Sequence, residues 1–474
     1  MKLNRWQDNE SGKEDFSGLR KVFKRKVNRR IYDLVKRYIL LEEFMEVPGD
    51  LGRRIIGDKA AEFYLDMPNY IQKYTDYYNS KVFFSRFLSK PTVFFTSNSA
   101  VCDLLKGDNC DLRLGYKDYF QPMFDDILLF SDGTAAENWR KVFQNMFNSC
   151  DSTVYKSSVT EIINSWVESI KISKPNNIYS FIKHMSMQIS FTLFLGLKVD
   201  DTQGSKDVIC EVQKLITKHW HGMISVPLDF KIPLIVCTSY RKAIDAKKKL
   251  EKIINSKLSS PKSVEDNKFF LMLAETKDLS REEVANHMLL FISALAPKAF
   301  ASILTSFILS RSLWEKEFLD EDGTISDQNL ECILLEIYRC WPPFIGGRRV
   351  AIKDTVVAGY KIPEDYAVMY ISWAAHRDPD VFFHPHIFKP NRWKTLNKDD
   401  KSKIFCFGAG ERSCLGIGLI NIIIKVMCQK LLELYSWEVD SNVTESLNDP
   451  SQWKWLPVAR LKNIPNINFV PRQN

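Results

Sequence analysis

The sequence predicts a mostly α-helical fold with small β-sheets, and three segments carry that prediction. Residues 280–311 have the length of one long helix, opened by Ser280 with Glu283 three positions on, the spacing of a capping box. After Cys414, the apolar residues Leu415, Ile417, Leu419, Ile420, Ile422, Ile423, Ile424, Val426 and Met427 are dense enough for a buried helix. Residues 81–97, KVFFSRFLSKPTVFFTS, read instead as two β-strands bracketing a turn at Ser89-Lys90-Pro91.

A chain of 474 residues, 45% hydrophobic and 12% aromatic, can bury a large core. No internal repeat divides it, so residues 47–474 read as one domain behind a leader of residues 1–46. A net charge of +8 is modest for this length and argues against a nucleic-acid-binding arm. Ten cysteines lie at 102, 110, 150, 210, 237, 332, 340, 406, 414 and 428 with no Cys-x-x-Cys spacing. That scatter argues against a disulfide framework or structural zinc and fits a reducing compartment.

The leader carries nine Lys or Arg residues between Arg20 and Arg37 against one acid, Asp33. Leu19, Val22, Phe23, Val27, Ile31, Leu34, Val35 and Tyr38 recur at helical spacing, which predicts a basic amphipathic helix. Such a helix can lie on an anionic membrane surface or pack on the catalytic domain. No window of about 20 residues in it is free of charge, so a membrane-spanning anchor is not expected. Asp8, Glu10, Glu14 and Asp15 argue against a mitochondrial presequence. The Pro48-Gly49 pair then marks a turn.

The residues FGAGERSCLG, Phe407 to Gly416, carry the chemistry. Glycines at 408, 410 and 416 let the backbone approach the Cys414 sulfur and take up turn dihedrals. The helix that follows points its positive N-terminal end at that sulfur. A cationic Arg412 two positions before suits a carboxylate of a bound porphyrin. Cysteine alone is most often a small buried hydrophobe, but the ordered set reads as a thiolate loop for haem iron.

At these residues the sequence resembles the cytochrome P450 family, whose loop reads Phe-x-x-Gly-x-Arg-x-Cys-x-Gly; Phe407, Gly410, Arg412, Cys414 and Gly416 fill its fixed positions. Upstream, Glu336 and Arg339 match the family's Glu-x-x-Arg pair, on one helical face at i, i+3. The Pro-x-Arg element of FKPNRW adds Arg392, expected to complete a network with them. The resemblance implies the P450 fold, a triangular helical haem domain, with haem b as cofactor and Cys414 as iron ligand. Arg349, with Arg348 as the alternative, is expected at a haem propionate beside Arg412. Trp139-Arg140-Lys141-Val142-Phe143 matches the family's third-helix motif without its second arginine, which leaves Trp139 and Arg140 for that contact. His376, His384 and His386 could chelate a metal, but their context reads as the family's meander.

The long helix departs from the family. Where most monooxygenases carry an acid and a threonine that relay protons to dioxygen, this chain has Ser293-Ala294-Leu295-Ala296-Pro297-Lys298-Ala299. Proton delivery by placed side chains is worth orders of magnitude in rate, so Ser293, Ala296, Pro297 and Lys298 are the candidate distal residues. Pro297 should kink the helix near Ser293. The preferred reading is a monooxygenase that oxidises a lipophilic terpenoid, sterol or fatty-acid-like substrate, with electrons from a flavoprotein reductase or ferredoxin-type donor. Competing readings are a reductase-independent hydroperoxide or endoperoxide isomerase or dehydratase, a peroxygenase in which a base beside a proline holds a carboxylate, and a non-enzymatic haem sensor or carrier. Residues 222–258, with their apolar loop between prolines, look like the lid of the retinoid, sterol and terpenoid hydroxylase branch. Lys401, Lys403, Lys425 and Lys430 could steer an acidic redox partner. The expected assembly is a monomer, in the cytoplasm or peripheral on the cytosolic side of an intracellular membrane such as the endoplasmic reticulum.

Overall fold

The computed structural model describes residues 47–472, apart from 54–56, 108–110, 150–151, 171–175, 198–202, 226–230, 233–235, 262–266, 294 and 396–397. The basic leader and part of the lid loop therefore lie outside the described residues. Helices dominate, and one six-stranded sheet stands at an edge of the helical mass.

The elements that build the site are, among strands, β1 (Gly49–Asp50), β2 (Val82–Phe87), β3 (Lys90–Phe95), β4 (Leu112–Leu114), β5 (Gly346–Ala351) and β6 (Ala367–Ile371). The helices are α1 (Met67–Tyr78), α2 (Asn98–Lys106), α3 (Lys117–Phe124), α4 (Thr134–Ser149), α5 (Ile178–Leu195), α6 (Gln203–Met223), α7 (Ser239–Ser259), α8 (Arg281–Phe291), α9 (Leu295–Leu309), α10 (Asp327–Cys340) and α11 (Ile417–Leu434). The sheet runs β1-β2-β3-β6-β5-β4, with β1–β2 and β3–β6 parallel and the other pairs antiparallel. The predicted hairpin forms, but its turn falls at Leu88-Ser89, both at positive φ, while Lys90 and Pro91 already belong to the second strand. One face of this sheet carries Phe83 and Phe94, ring centroids 5.2 Å apart, against Tyr70 and Tyr74 of α1. The opposite face packs Val93 and Val368 with Val101 and Leu104 of α2.

The long distal segment is two helices, not one. Ser280 caps α8 with the predicted box: its Oγ accepts from Glu283 N at 3.2 Å, and its own N–H donates to the Glu283 carboxylate at 2.7 Å. The helix closes at Ile292, and Ser293 N donates to Leu290 O in a tight i to i−3 turn. A new helix begins at Leu295, which puts Pro297 in its first turn, where a missing N–H costs no hydrogen bond. The predicted kink is thus a break. This stretch, Arg281–Leu309, is long and apolar enough to cross a membrane, yet most of it is buried in the helical core.

A buried ion network fixes the segment leading to the cysteine loop. Glu336 and Arg339 on α10 are both 0% exposed. Arg339 donates to Glu336 through Nε at 2.9 Å and Nη2 at 2.8 Å, and to the carbonyls of His376, Pro385 and Ile387 at 2.9, 2.6 and 3.0 Å. Glu336 also accepts from Arg392 Nε at 3.1 Å, Lys389 N at 2.8 Å and Trp393 Nε1 at 2.8 Å. Burial alone raises the Glu336 pKa, but the Arg339 and Arg392 charges outweigh it and hold the carboxyl below its usual value. His376 then accepts from Phe405 N at 2.7 Å, so the network ends two residues before Phe407. The His376 imidazole is pushed down to about 3 by burial and by Arg339 and Arg377. It serves as a neutral acceptor, and no cluster of metal-ligating side chains forms among the described residues.

Replacing Glu336 by Ala strands two buried guanidinium groups; loss of one partner of a buried pair costs about 3–5 kcal/mol, so urea unfolding should show that loss together with poor haem retention. His376 is charged in the unfolded chain below its ordinary pKa and stays neutral in the fold until about pH 3. Its contribution to stability is therefore full above about pH 6.5 and declines as the pH falls towards 3. Over that range His376→Gln should flatten the pH dependence of the urea midpoint by up to one proton, about 1.4 kcal/mol per pH unit.

Candidate active site

Cys414 lies in the turn between a short 3-10 segment, Gly410–Arg412, and the N-terminus of α11. Its N–H donates to Phe407 O at 2.8 Å, closing the loop, and the Phe407 ring meets Tyr338 of α10 edge-on at 5.1 Å. Gly410 sits at φ +63°, and a Cβ there would lie 2.1 Å from Leu105 O, so the loop can seat on α2 only with glycine. Gly416 differs: a Cβ would meet nothing nearer than Ile420 at 4.0 Å, because that side faces a cavity. Burial raises the Cys414 thiol pKa, opposed by the Gly416 N–H and the Arg140 charge.

The cavity holds about 1780 Å³. Cys414 and Gly416 bound it on one side, with Ser293, Ala296 and Ala299 of the broken distal helix also in its wall. Elsewhere the lining is chiefly apolar, including Phe120, Phe124, Leu193, Phe194, Trp220 and Phe300. Ser293 is buried, and its hydroxyl has no hydrogen-bond partner among the described residues.

Among the described residues, three arginines line the cavity. Arg140 of α4 donates to Ser413 O. Arg412 bonds Ser131 O at 3.2 Å and Asp132 at 3.1 Å. Arg349 of β5 donates only to the neighbouring Arg348 carbonyl, at 3.2 Å, and lies over the Tyr370 ring without a carboxylate partner among the described residues. Arg348 is absent from the lining, so of the two candidates on β5 it is Arg349 that reaches the cavity.

Other expected positions fall elsewhere. Trp139 does not line the cavity; its indole N–H is spent on Glu283 at 2.7 Å and its ring meets His287 edge-on. Phe143, in place of the family's second arginine, packs on His287 and Phe291. His287 itself bridges Glu283 O at 2.7 Å and Leu128 N at 3.0 Å, tying α8 to the loop before α4; nothing in its sequence context announced that role. Pro297 and Lys298 are not in the cavity lining; Lys298 lies 4.4 Å from the ring centroid of Trp220, a lining residue, its amine pushed down to about 8 by burial and by Lys183, Arg460 and Lys454. The lysines considered for partner steering are each paired within the chain: Lys401 with Glu331, Lys403 with Asp400, Lys425 with Asp327 and Lys430 with Glu433.

A flat dianionic macrocycle with a thiolate-ligated iron fits these residues. The room beside Gly416, the accessible sulfur and the uncompensated Arg349 are what such a group needs.

The cytochrome P450 family model matches residues 329–462, from the Glu-x-x-Arg helix through the cysteine loop. The cytochrome P450 26B1 of Xenopus tropicalis is 24% identical over 394 residues, 76% of this chain and 75% of its own length. The beta-amyrin 11-oxidase of Glycyrrhiza uralensis is 24% identical over 464 residues, 88% of this chain and 90% of its own. The retinoic acid-bound cyanobacterial CYP120A1 superposes with a TM-score of 0.71 at 18% identity, covering 90% of this chain and 100% of that one. A single-residue variant of cytochrome P450 OleT in complex with arachidonic acid gives 0.69 at 14% identity, over 90% and 99%. The thiolate loop, the buried Glu-x-x-Arg network and the helical fold agree with these relatives, and the chain is similar to the cytochrome P450 family, oxidoreductases that use haem b.

Proposed function

We propose that this enzyme is a monooxygenase of a lipophilic, terpenoid or fatty-acid-like substrate, with dioxygen as oxygen donor and Ser293 as the distal hydroxyl. The observation that carries this reading is the unpartnered Ser293 hydroxyl in a cavity wall that is otherwise mainly apolar. Haem held by a thiolate supplies the oxidising power for hydroxylation of an unactivated carbon. Cys414 would ligate it: burial keeps a proton on the free thiol, so metal binding must displace that proton. Arg349, Arg412 and Arg140 would hold the propionates, with Arg349 contributing a charge that no acid among the described residues neutralises. The apolar walls exclude water and orient the hydrocarbon. Ser293 Oγ can accept a proton from solvent and donate its own towards the cavity, the duty that an acid and threonine share in most relatives.

The reading of the substrate is supported by the neighbours' ligands, retinoic acid in CYP120A1 and arachidonic acid in OleT, and by the oxidation of β-amyrin named for the plant relative. A peroxygenase reading draws on the missing acid and threonine and on the likeness in fold to OleT and CYP152N1. The position of Lys298 argues against the version in which that lysine holds a carboxylate over the iron, since it lies outside the lining.

Reduced carbon-monoxide difference spectra should show the thiolate band in wild type and lose it in Cys414→Ala. Ser293→Ala should lower dioxygen-driven turnover with reductase and NADPH on the order of 100-fold, while any turnover with a supplied hydroperoxide changes little. Wild-type activity with hydroperoxide and none with reductase and NADPH would overturn the monooxygenase assignment.

A further inference from the structure

Near its end the chain turns back in a short hairpin, β7 (Trp453–Lys454) and β8 (Arg460–Leu461), with Trp453 paired to Leu461 and Lys454 to Arg460. Lys462 N donates to Gln452 O at 2.8 Å and carries the ladder one residue further. Residues directly opposite share a face of such a pair, and so do residues two apart. Trp453 and Leu461 therefore form the buried side, while Lys454, Arg460 and Lys462 stand together on the other. Like charges placed opposite one another across a strand pair are destabilising. No carboxylate forms an ion pair with any of the three among the described residues. Asp449, just before the hairpin, feels the charge of Lys462, but its oxygens are already engaged by Ser451 and Gln452.

These cations do not simply face bulk water. Lys454 and Lys462 line the cavity, together with Trp455, Leu456 and Pro457 of the turn, and both lysines are also exposed, so the cavity meets solvent here. Trp220 of α6 lines it as well, and the Lys298 amine of α9 lies over that ring. Lys454 and Arg460 from the hairpin, and Lys183 from α5, are the charges that act with burial to depress that amine. Burial, Lys298 and Lys183 lower the neighbouring His221 in the same sense. Cations from the hairpin, α5 and α9 thus converge on one end of a cavity whose walls are otherwise mainly apolar. An anion at that end relieves a repulsion that the chain itself leaves standing.

We propose that Lys454 and Lys462 bind the carboxylate of an acidic lipophilic substrate at this end of the cavity, while its hydrocarbon lies along the apolar walls. This rests on the reading of the cavity as a lipophilic substrate site, but not on the oxygen donor. Arg460, Lys183 and Lys298 are absent from the lining and act through their field alone. Haem also carries carboxylates, so the test must separate the two sources. The haem-loaded enzyme is dialysed to equilibrium against arachidonic acid and against its methyl ester, below the concentration at which either forms micelles, and haem per chain is measured alongside. Wild type should bind the acid about 10- to 25-fold tighter than the ester at low salt, two exposed ion pairs being worth up to about fivefold each. Added salt should narrow that gap. Lys454→Gln and Lys462→Gln should each weaken the acid about three- to fivefold. The double variant should bind acid and ester within about twofold of one another, with its haem content unchanged. Lys183→Gln should shift acid binding by less than about twofold, since a charge outside the lining is screened by solvent. Equal binding of acid and ester by wild type overturns the proposal and leaves the lipophilic site standing, whereas failure to bind either overturns both. Loss of haem in the double variant also overturns it and assigns the lysines to the propionates. An effect of Lys183→Gln as large as that of Lys454→Gln overturns the contact and leaves only a general positive field. None of these readouts uses turnover, so an enzyme that proved to be a peroxygenase would leave the result standing.

Discussion

The carboxylate of Glu336 is the constraint on which the proximal half of the molecule depends. It is fully buried and receives donors from Arg339, Arg392, Trp393 and the backbone of Lys389, so one helix and a long irregular segment are clamped to a single charge. An irregular segment has no ladder of its own to satisfy its carbonyls. Arg339 and Arg392 do so from inside, binding the carbonyls of residues 376, 383, 384, 385 and 387. Through the imidazole of His376 the same order reaches Phe405, and from there the loop that presents Cys414. The sulfur is thus positioned by electrostatics that begin on α10, remote from it in sequence.

The distal side is organised differently, by aromatic packing and one histidine. Phe143, Phe291 and Trp139 surround His287, whose two nitrogens are both engaged, and this cluster holds α8 against α4. That packing explains why the third-helix motif lacks its second arginine: a guanidinium at position 143 would sit buried between rings without an anion. On the proposed reading, the cofactor's acid groups would be left to Arg140 on α4 and to cations from β5 and the cysteine loop.

The cysteine loop, the Glu-x-x-Arg pair and the capping box were legible because each is a short pattern whose chemistry fixes its own geometry. The hairpin was legible to within a residue, since alternation locates strands better than it locates a turn. The sequence could not reveal which of Arg348 and Arg349 reaches the cavity, because that depends on the register of β5 against β6. Nor could it show that Trp139 spends its N–H on Glu283, a partner 144 residues away. The same holds for Lys298, whose direction follows from where α9 restarts. Pro297 does mark a disturbance, but its neighbours decide whether a proline bends a helix or begins a new one.

The restart of the distal helix has an electrostatic consequence. An unbroken helix passing over the cavity would present only its middle there, where successive peptide dipoles cancel. Because α9 begins at Leu295, its first turn stands beside Ala296 in the cavity wall, and α11 likewise begins next to Cys414. Each such terminus is equivalent to roughly half a positive charge. On the distal face that terminus is set against the carbonyl end of α8 at Ile292, whereas the α11 terminus beside Cys414 has no such opposing end directly before it, so the backbone field across the cavity is strongest on the side of the sulfur.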